Sequence, residues 1–99
     1  MASRELTLNI NGADIRLDYF VQGFIDHVIS GMVKALEDTT QIKTLKLTIA
    51  DEDVAMNVNG AVIPLNNFVR TVVRNTVFGM ISSLKGIDRV EKLKLHISK

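Results

Sequence analysis

Cysteine and tryptophan are absent from this sequence of 99 residues, and proline occurs once. Without cysteine the chain forms no disulfide, and it has neither a thiol nucleophile nor thiolate ligands for zinc or an iron–sulfur cluster. One tyrosine and four phenylalanines leave little aromatic surface on which nucleic-acid bases stack. The net charge of +1 gives the molecule no strong field that would attract nucleic acid or an acidic membrane.

Long hydrophobic runs are missing as well. No stretch reaches the ~20 apolar residues that a helix needs to cross a bilayer, and the first residues lack the basic-then-apolar pattern of a secretory signal. We therefore expect a cytoplasmic protein with no membrane partner. The hydrophobic content of 46% beside 23% charged residues is typical of a globular domain with one modest core.

An internal repeat is the main feature that the sequence does contain. A shift of 48 residues aligns residues 6–49 with residues 54–97 without a gap, and 15 aligned positions are identical. The match is clearest between the segments NGADIRLDYFV and NGAVIPLNNFV. A match of this length predicts a duplicated structural unit. We expect one domain over residues 1–99, made of these two copies joined at residues 50–53.

Each copy begins with a predicted β-hairpin. In the first copy, residues 6–10 alternate between apolar and polar types, as a half-buried strand does. Asn11 and Gly12 follow, and both tolerate the positive φ that a type I′ turn requires. Residues 13–17 continue the alternation as the return strand. Because proline donates no backbone hydrogen bond, Pro64 predicts that the second copy's return strand lies at a sheet edge or ends there. The second copy repeats these features at residues 54–58, Asn59, Gly60 and residues 61–65.

A helix and a further strand complete each copy. Asp18 is placed to cap a helix over residues 19–38, because its carboxylate can accept the free amides of the first turn. Residues 42–49 alternate again, as a strand does. The second copy has Asn66 as the cap, a helix over residues 67–85 and a strand over residues 90–97. The predicted fold class is therefore α+β, with the unit ββαβ repeated in tandem about a pseudo-two-fold.

The predicted inward-facing residues all share one sheet face. They indicate two layers, a six-stranded, largely antiparallel sheet with both helices on one side. In general appearance this resembles the ferredoxin-like two-layer proteins, with an extra leading strand in each half, and the resemblance implies no activity. A right-handed crossover would make the second and third strands of a copy parallel, whereas the short joint favours direct pairing of the third and fourth strands. Strands exchanged between the halves, or a sheet completed by a second chain, would resolve this conflict.

The predicted helices carry more apolar surface than one sheet face covers. Apolar residues of the first helix span about 220° of its circumference, whereas a helix on a sheet needs a stripe of roughly 100°. A second apolar surface, most simply another helix, is therefore expected on each. Gly31 and Gly79 occupy matching positions inside the helices, where glycine costs about 1 kcal/mol relative to alanine. They predict close approach of a second backbone, and the alternative is an inherited glycine that is merely tolerated.

Charge and one aromatic residue favour self-association. The first helix is predominantly acidic, whereas Arg70 and Arg74 make the second basic. Phe78 falls on the polar side of the second helix and is expected to be exposed. Such features suit a homodimer or another protein partner, although ordinary divergence of two copies also produces them. The predicted partner contacts are Gly31, Gly79, Phe78, Arg70 and Arg74.

Catalytic and metal-binding patterns are missing from the sequence. It contains no glycine-rich phosphate-binding motif and no nucleophile elbow. Asp26 and His27 are neighbours on a helix and point about 100° apart, so they form no dyad. His96 belongs to a strand, and the acidic residues 51–53 lack the spacing of a calcium loop. We therefore expect no enzyme, with no catalytic residue, no cofactor and no metal site.

The function that this sequence favours is a small, non-catalytic protein-interaction or oligomerisation domain. One alternative is nucleic-acid binding by the outer sheet face through Lys46, Lys92 and Lys94, although alternation predicts no aromatic residue there to stack bases. A further alternative is a small-molecule-sensing module with a ligand at the interface between the copies.

Overall fold

The computed structural model describes residues 5–36, 41–51, 53–84, 87 and 89–99. Its elements follow the same order in both copies, and the α+β class with its ββαβ units is confirmed. The first copy forms β1 (Glu5–Ile10), β2 (Ala13–Ile15), α1 (Tyr19–Leu36) and β3 (Thr44–Ala50). The second copy forms β4 (Asp53–Val58), β5 (Ala61–Ile63), α2 (Asn67–Ile81) and β6 (Lys92–Ser98).

The strands make one sheet in the order β2-β1-β6-β3-β4-β5, and all five neighbouring pairs are antiparallel. The halves exchange strands, since β1 pairs with β6 and β4 pairs with β3. This exchange is one of the two resolutions considered for the conflict in strand direction. The parallel arrangement that a right-handed crossover would give does not form, because β2 and β3 run in opposite directions with two strands between them. The tight turn at Asp51, which has a φ of 55°, instead pairs β3 directly with β4.

An internal two-fold passes through the centre of the sheet. Leu47 and Leu95, equivalent residues of the two copies, face each other across β3 and β6. The β1–β6 and β3–β4 ladders have the same register, since every residue pair of one maps onto a pair of the other when the copies are interchanged. The duplication in sequence is therefore also a symmetry of the backbone pairing.

Asn11 joins the first hairpin to the second copy. Its φ of 53°, followed by 87° at Gly12, gives the positive pair that the type I′ prediction requires. Its Oδ1 accepts hydrogen bonds from the amides of Glu91 (2.8 Å) and Lys92 (2.9 Å). Its Nδ2 donates to the carbonyl of Arg89 at 2.7 Å. The side chain thus holds the segment that leads into β6.

Asn59 makes the equivalent contacts from the second copy to the first. Its Oδ1 accepts from the amides of Lys43 (2.7 Å) and Thr44 (3.0 Å), and its Nδ2 donates to the carbonyl of Gln41 at 2.7 Å. These two residues form what we call the asparagine clasps, because each fastens its own hairpin to the start of the other copy's third strand.

The hydrophobic core lies between the sheet and the two helices. Residues of β1, β3, β4 and β6 that point to one face are buried, and the alternate residues face outward. The helices contribute one buried stripe each, formed by Ile25, Ile29 and Val33 on α1 and by Val73, Val77 and Ile81 on α2. Both helices therefore cover the same sheet face, as the alternation predicts.

The helix starts follow the sequence prediction more closely than the ends. Asp18 Oδ1 accepts from the Val21 amide at 2.8 Å, and Asn66 makes the same bond to its own helix. The predicted ends at residues 38 and 85 lie outside the described residues, yet α2 stops earlier, at Ile81. The hydroxyls of Ser82 and Ser83 bond to the Gly79 carbonyl, which offers the backbone an alternative to continued helix.

Candidate interaction surface

The two helices lie side by side and antiparallel above the sheet. Two apolar grooves run between them. One groove is lined by the first turns of α1 and the last turns of α2. The other is lined by the end of α1 and the start of α2. Residues of both helices line these grooves, and large apolar side chains beside them stay exposed, so the neighbouring helix supplies the expected second apolar surface only in part.

Large apolar side chains remain exposed on this layer. The exposed fractions are 81% for Tyr19, 74% for Phe20, 55% for Phe24 and 75% for Phe68. The rings of Phe20 and Phe24 stand 6.3 Å apart between centroids. With Leu36 at 37% and Val72 at 39%, these residues form what we call the helix-layer surface. Its members are Tyr19, Phe20, Phe24, Leu36, Phe68 and Val72.

The helix-layer surface has the symmetry of the repeat. Phe20 is equivalent to Phe68, and Phe24 is equivalent to Val72. Because α1 and α2 are antiparallel, the two equivalent pairs lie at opposite ends of the layer, each beside one groove. The Phe20–Phe24 and Phe68–Val72 pairs are therefore related by the internal two-fold, whereas Tyr19 has the polar Asn67 as its equivalent.

The helix-layer surface is large for a chain of 99 residues. If each aromatic side chain spans about 200 Å², its four aromatic residues expose roughly 600 Å². This is the upper end of the ~300–600 Å² that the largest apolar patch of a typical monomer covers. A protein interface of standard size takes ~800 Å² from each partner, so these aromatic residues would supply most of one side of such an interface.

Sequence periodicity alone assigned these phenylalanines to the apolar arc without separating exposed from buried positions. At ~100° per residue, Phe24 lies about 100° from Ile25 and Phe20 about 140° from it, on the edge of the arc. Phe68 and Val72 have the same offsets from Val73. In the sequence, exposure of some apolar residues was indicated only by an apolar arc wider than one sheet face covers. The structure shows which edge of that arc faces outward.

The matched glycines do not bring the helices together within the chain. Both Gly31 and Gly79 are exposed, and a Cβ built on either would meet nothing within 4 Å. The prediction that a second backbone of the same chain packs closely against these glycines is therefore wrong, because both positions face open space. Gly79 does line one groove beside Phe20, and contact of the glycines with a partner stays a prediction.

Phe78 is less exposed than the sequence indicates. It is partly buried against the core, and the Arg74 guanidinium lies 4.6 Å from the centre of its ring. The Nε of Arg74 also donates to the Asp51 carbonyl at 2.7 Å, while Arg70 hydrogen-bonds Asn67 on its own helix. This flank of α2 is separate from the helix-layer surface, so the role of Arg70, Arg74 and Phe78 as partner contacts stays a prediction.

Of the acidic residues expected on the first helix, the structure describes Asp18 and Asp26, and neither presents a free carboxylate on the helix surface. Asp26 is buried, pairs with Lys99 Nζ at 3.1 Å and accepts from the Ser30 hydroxyl at 3.0 Å. Asp18 is engaged as the helix cap. Glu37 and Asp38, the remaining acids of the prediction, lie outside the described residues. Opposite charge on the two helices therefore gives little support to self-association, and the exposed apolar residues support it better.

The lysines of the nucleic-acid alternative lie on the outer sheet face. Lys46 faces Asn57 and His96 on neighbouring strands, and Lys94 faces Asn9 and Thr48. Lys92 lies at the start of β6 and is also exposed. The sequence thus predicted the shared face correctly, and Lys46 and Lys94 are brought together at its centre.

The histidines occupy unrelated positions. His27 is exposed on α1, where its Nδ1 lies 2.7 Å from the Gly23 carbonyl, and His96 stands on the outer sheet face. Over the described ranges, no group of three or more acidic, histidine or cysteine residues could hold a metal ion. Likewise, neither described helix is long and apolar enough to span a bilayer.

The chain was compared with protein-family models, curated proteins and solved structures, and nothing matches it in any of the three. A functional assignment therefore depends on the geometry of the chain's own surfaces.

Proposed function

We propose that this chain is a non-catalytic oligomerisation domain that forms a homodimer through the helix-layer surface. The observation that carries the proposal is the row of exposed aromatic residues on the side of the helices away from the sheet. Burying apolar area at ~25 cal/mol per Å² is the main favourable contribution to association. In the dimer, the helix layers of two copies face each other between two outer sheets.

A second copy suits this surface better than an unrelated partner for two reasons. A homodimer interface brings the same patch of each subunit against itself, and the Phe20–Phe24 and Phe68–Val72 pairs, which the internal two-fold relates, are suited to such pairing. The members of the helix-layer surface are also uncharged, and a net charge of +1 on each chain opposes association only weakly.

A cytoplasmic location and a small-molecule-sensing role both stay predictions.

The first prediction tests this interface. Changing Phe20 and Phe68 together to serine is expected to weaken dimerisation by on the order of a thousandfold or more, because aromatic anchors at an interface contribute about 2 kcal/mol or more each. Sedimentation equilibrium over a range of protein concentrations measures the change. Both side chains are about three-quarters exposed, so the double variant should keep the stability of the monomer fold.

Val62 provides the matched control. It is 77% exposed but lies on β5, away from the helices, so Val62→Ser should leave the dimer intact. A wild-type chain that sediments as a monomer at high micromolar concentration would contradict self-association. A double variant that dimerises as the wild type does would show that another surface is used.

A further inference from the structure

The outer face of the sheet carries a shallow depression of about 200 Å³ beside the internal two-fold. Strands β1, β6 and β3 form its floor. Its polar lining consists of two ammonium groups, an imidazole, two hydroxyls, an amide and one carboxylate, which belong to Lys46, Lys94, His96, Thr7, Thr48, Asn9 and Asp14. This depression lies on the side of the sheet opposite the helix-layer surface, so a ligand there and a dimer partner would not compete.

The two lysines carry more positive charge than the one carboxylate of the lining, Asp14, neutralises. Lys46 and Lys94 are diagonal neighbours on β3 and β6, a relationship that separates residues by about 7–8 Å. None of the residues directly opposite them in the ladders is acidic. The nearby Asp14 carboxylate accepts a hydrogen bond from Asn9 at 3.0 Å. The ion pairs found within the described chain involve neither lysine.

We propose that this depression binds a phosphate group carried by a small molecule. Like charges at neighbouring sheet positions repel, and a phosphate dianion placed between the lysines removes that repulsion. Its oxygens are strong acceptors, able to receive hydrogen bonds from both ammonium groups, from the Thr48 hydroxyl and from a ring N–H of His96. Since Lys46 and Lys94 are equivalent residues of the repeat, each copy supplies one of the two charges.

The composition of the face favours a compact dianion over a single nucleic-acid strand. Single-strand binding relies on aromatic side chains that stack on successive bases. The outward positions of the described strands carry no aromatic residue. Glu5, an exposed acidic residue at the margin of the face, would also repel an extended polyanion.

Titration of the isotope-labelled full chain with inorganic phosphate, and then with glycerol phosphate, tests this site by NMR. We expect saturable shifts of the Lys46, Thr48, Lys94 and His96 amides, with tighter binding of the organic ester. Lys46→Gln and Lys94→Gln should each weaken binding about tenfold, the size of one lost charge-assisted hydrogen bond. Lys34→Gln, on the exposed surface of α1, makes the same change in net charge and should leave binding unaltered.

Three results would overturn the proposal. One is the absence of saturable shifts with both phosphate probes. Another is an equal loss of affinity in the Lys34→Gln control, which would indicate a general charge effect. The third is tighter binding of an oligothymidylate than of glycerol phosphate at the same amides, which would make this face a nucleic-acid surface instead.

Discussion

Replacing Leu47 by alanine is expected to lower the free energy of unfolding by about 3 kcal/mol, within the range measured for buried leucines. Leu47 is fully buried on β3, at the position where the internal two-fold crosses the sheet. Truncation there leaves a cavity that neighbours on both copies cannot fill without moving. Small domains have only ~5–15 kcal/mol of stability in total, so the effect should be visible in urea denaturation at a fixed protein concentration.

The internal symmetry makes this prediction more specific. Leu95 is the equivalent residue, is 2% exposed and faces Leu47 directly. Leu95→Ala should therefore cost nearly the same, and the double variant should depart from additivity because the two side chains share one contact. Lys46→Ala, one residue away on the outer face, should change stability by less than ~0.5 kcal/mol. Strongly unequal effects of the two leucine changes would contradict the symmetric core.

Loss of an asparagine clasp is the second large effect that we expect. Asn59→Ala removes three hydrogen bonds to residues 41–44 and places alanine at a φ of 54°. Each of these exposed hydrogen bonds contributes only about 0.5 kcal/mol net, because water can replace it, and the left-handed conformation costs alanine ~1–2 kcal/mol. We expect a total loss of about 2–3 kcal/mol, measured by urea denaturation.

Asn59→Gly separates the two contributions. Glycine accepts the positive φ without strain, so this variant should show only the loss of the side-chain bonds, about half of the alanine effect. In both variants the amides of Lys43 and Thr44 lose their acceptor, and their hydrogen exchange should accelerate. Unchanged exchange at these two amides would contradict the clasp. The equivalent change at Asn11 should accelerate exchange at Glu91 and Lys92 instead.

Much of the fold follows from local patterns in the sequence. Alternation over residues 6–10 and 42–49 identified the strands and their buried faces, because a strand turns its side chains to opposite sides in succession. The Asn-Gly pairs identified the hairpins, since few other residues adopt two consecutive positive φ angles. The caps Asp18 and Asn66 marked the helix starts. Each of these features depends on residues within one turn or strand.

Features that depend on contacts between the copies were not predictable in this way. The clasp role of Asn11 spans 80 residues to Glu91, and no local pattern encodes it. Asp26 is likewise buried beside Lys99, which lies 73 residues away in the sequence. In both cases a polar side chain has a partner that is distant in sequence.

The sequence by itself determined the duplicated ββαβ unit, the faces of the strands and the surplus of apolar residues on the helices, because hydrophobic period and turn chemistry act over a few residues. Only the tertiary structure decided the exchange of strands between the halves. It also decided which apolar residues stay exposed, since the sheet and the neighbouring helix cover the middle of each apolar arc and leave Phe20, Phe24 and Phe68 at its edge.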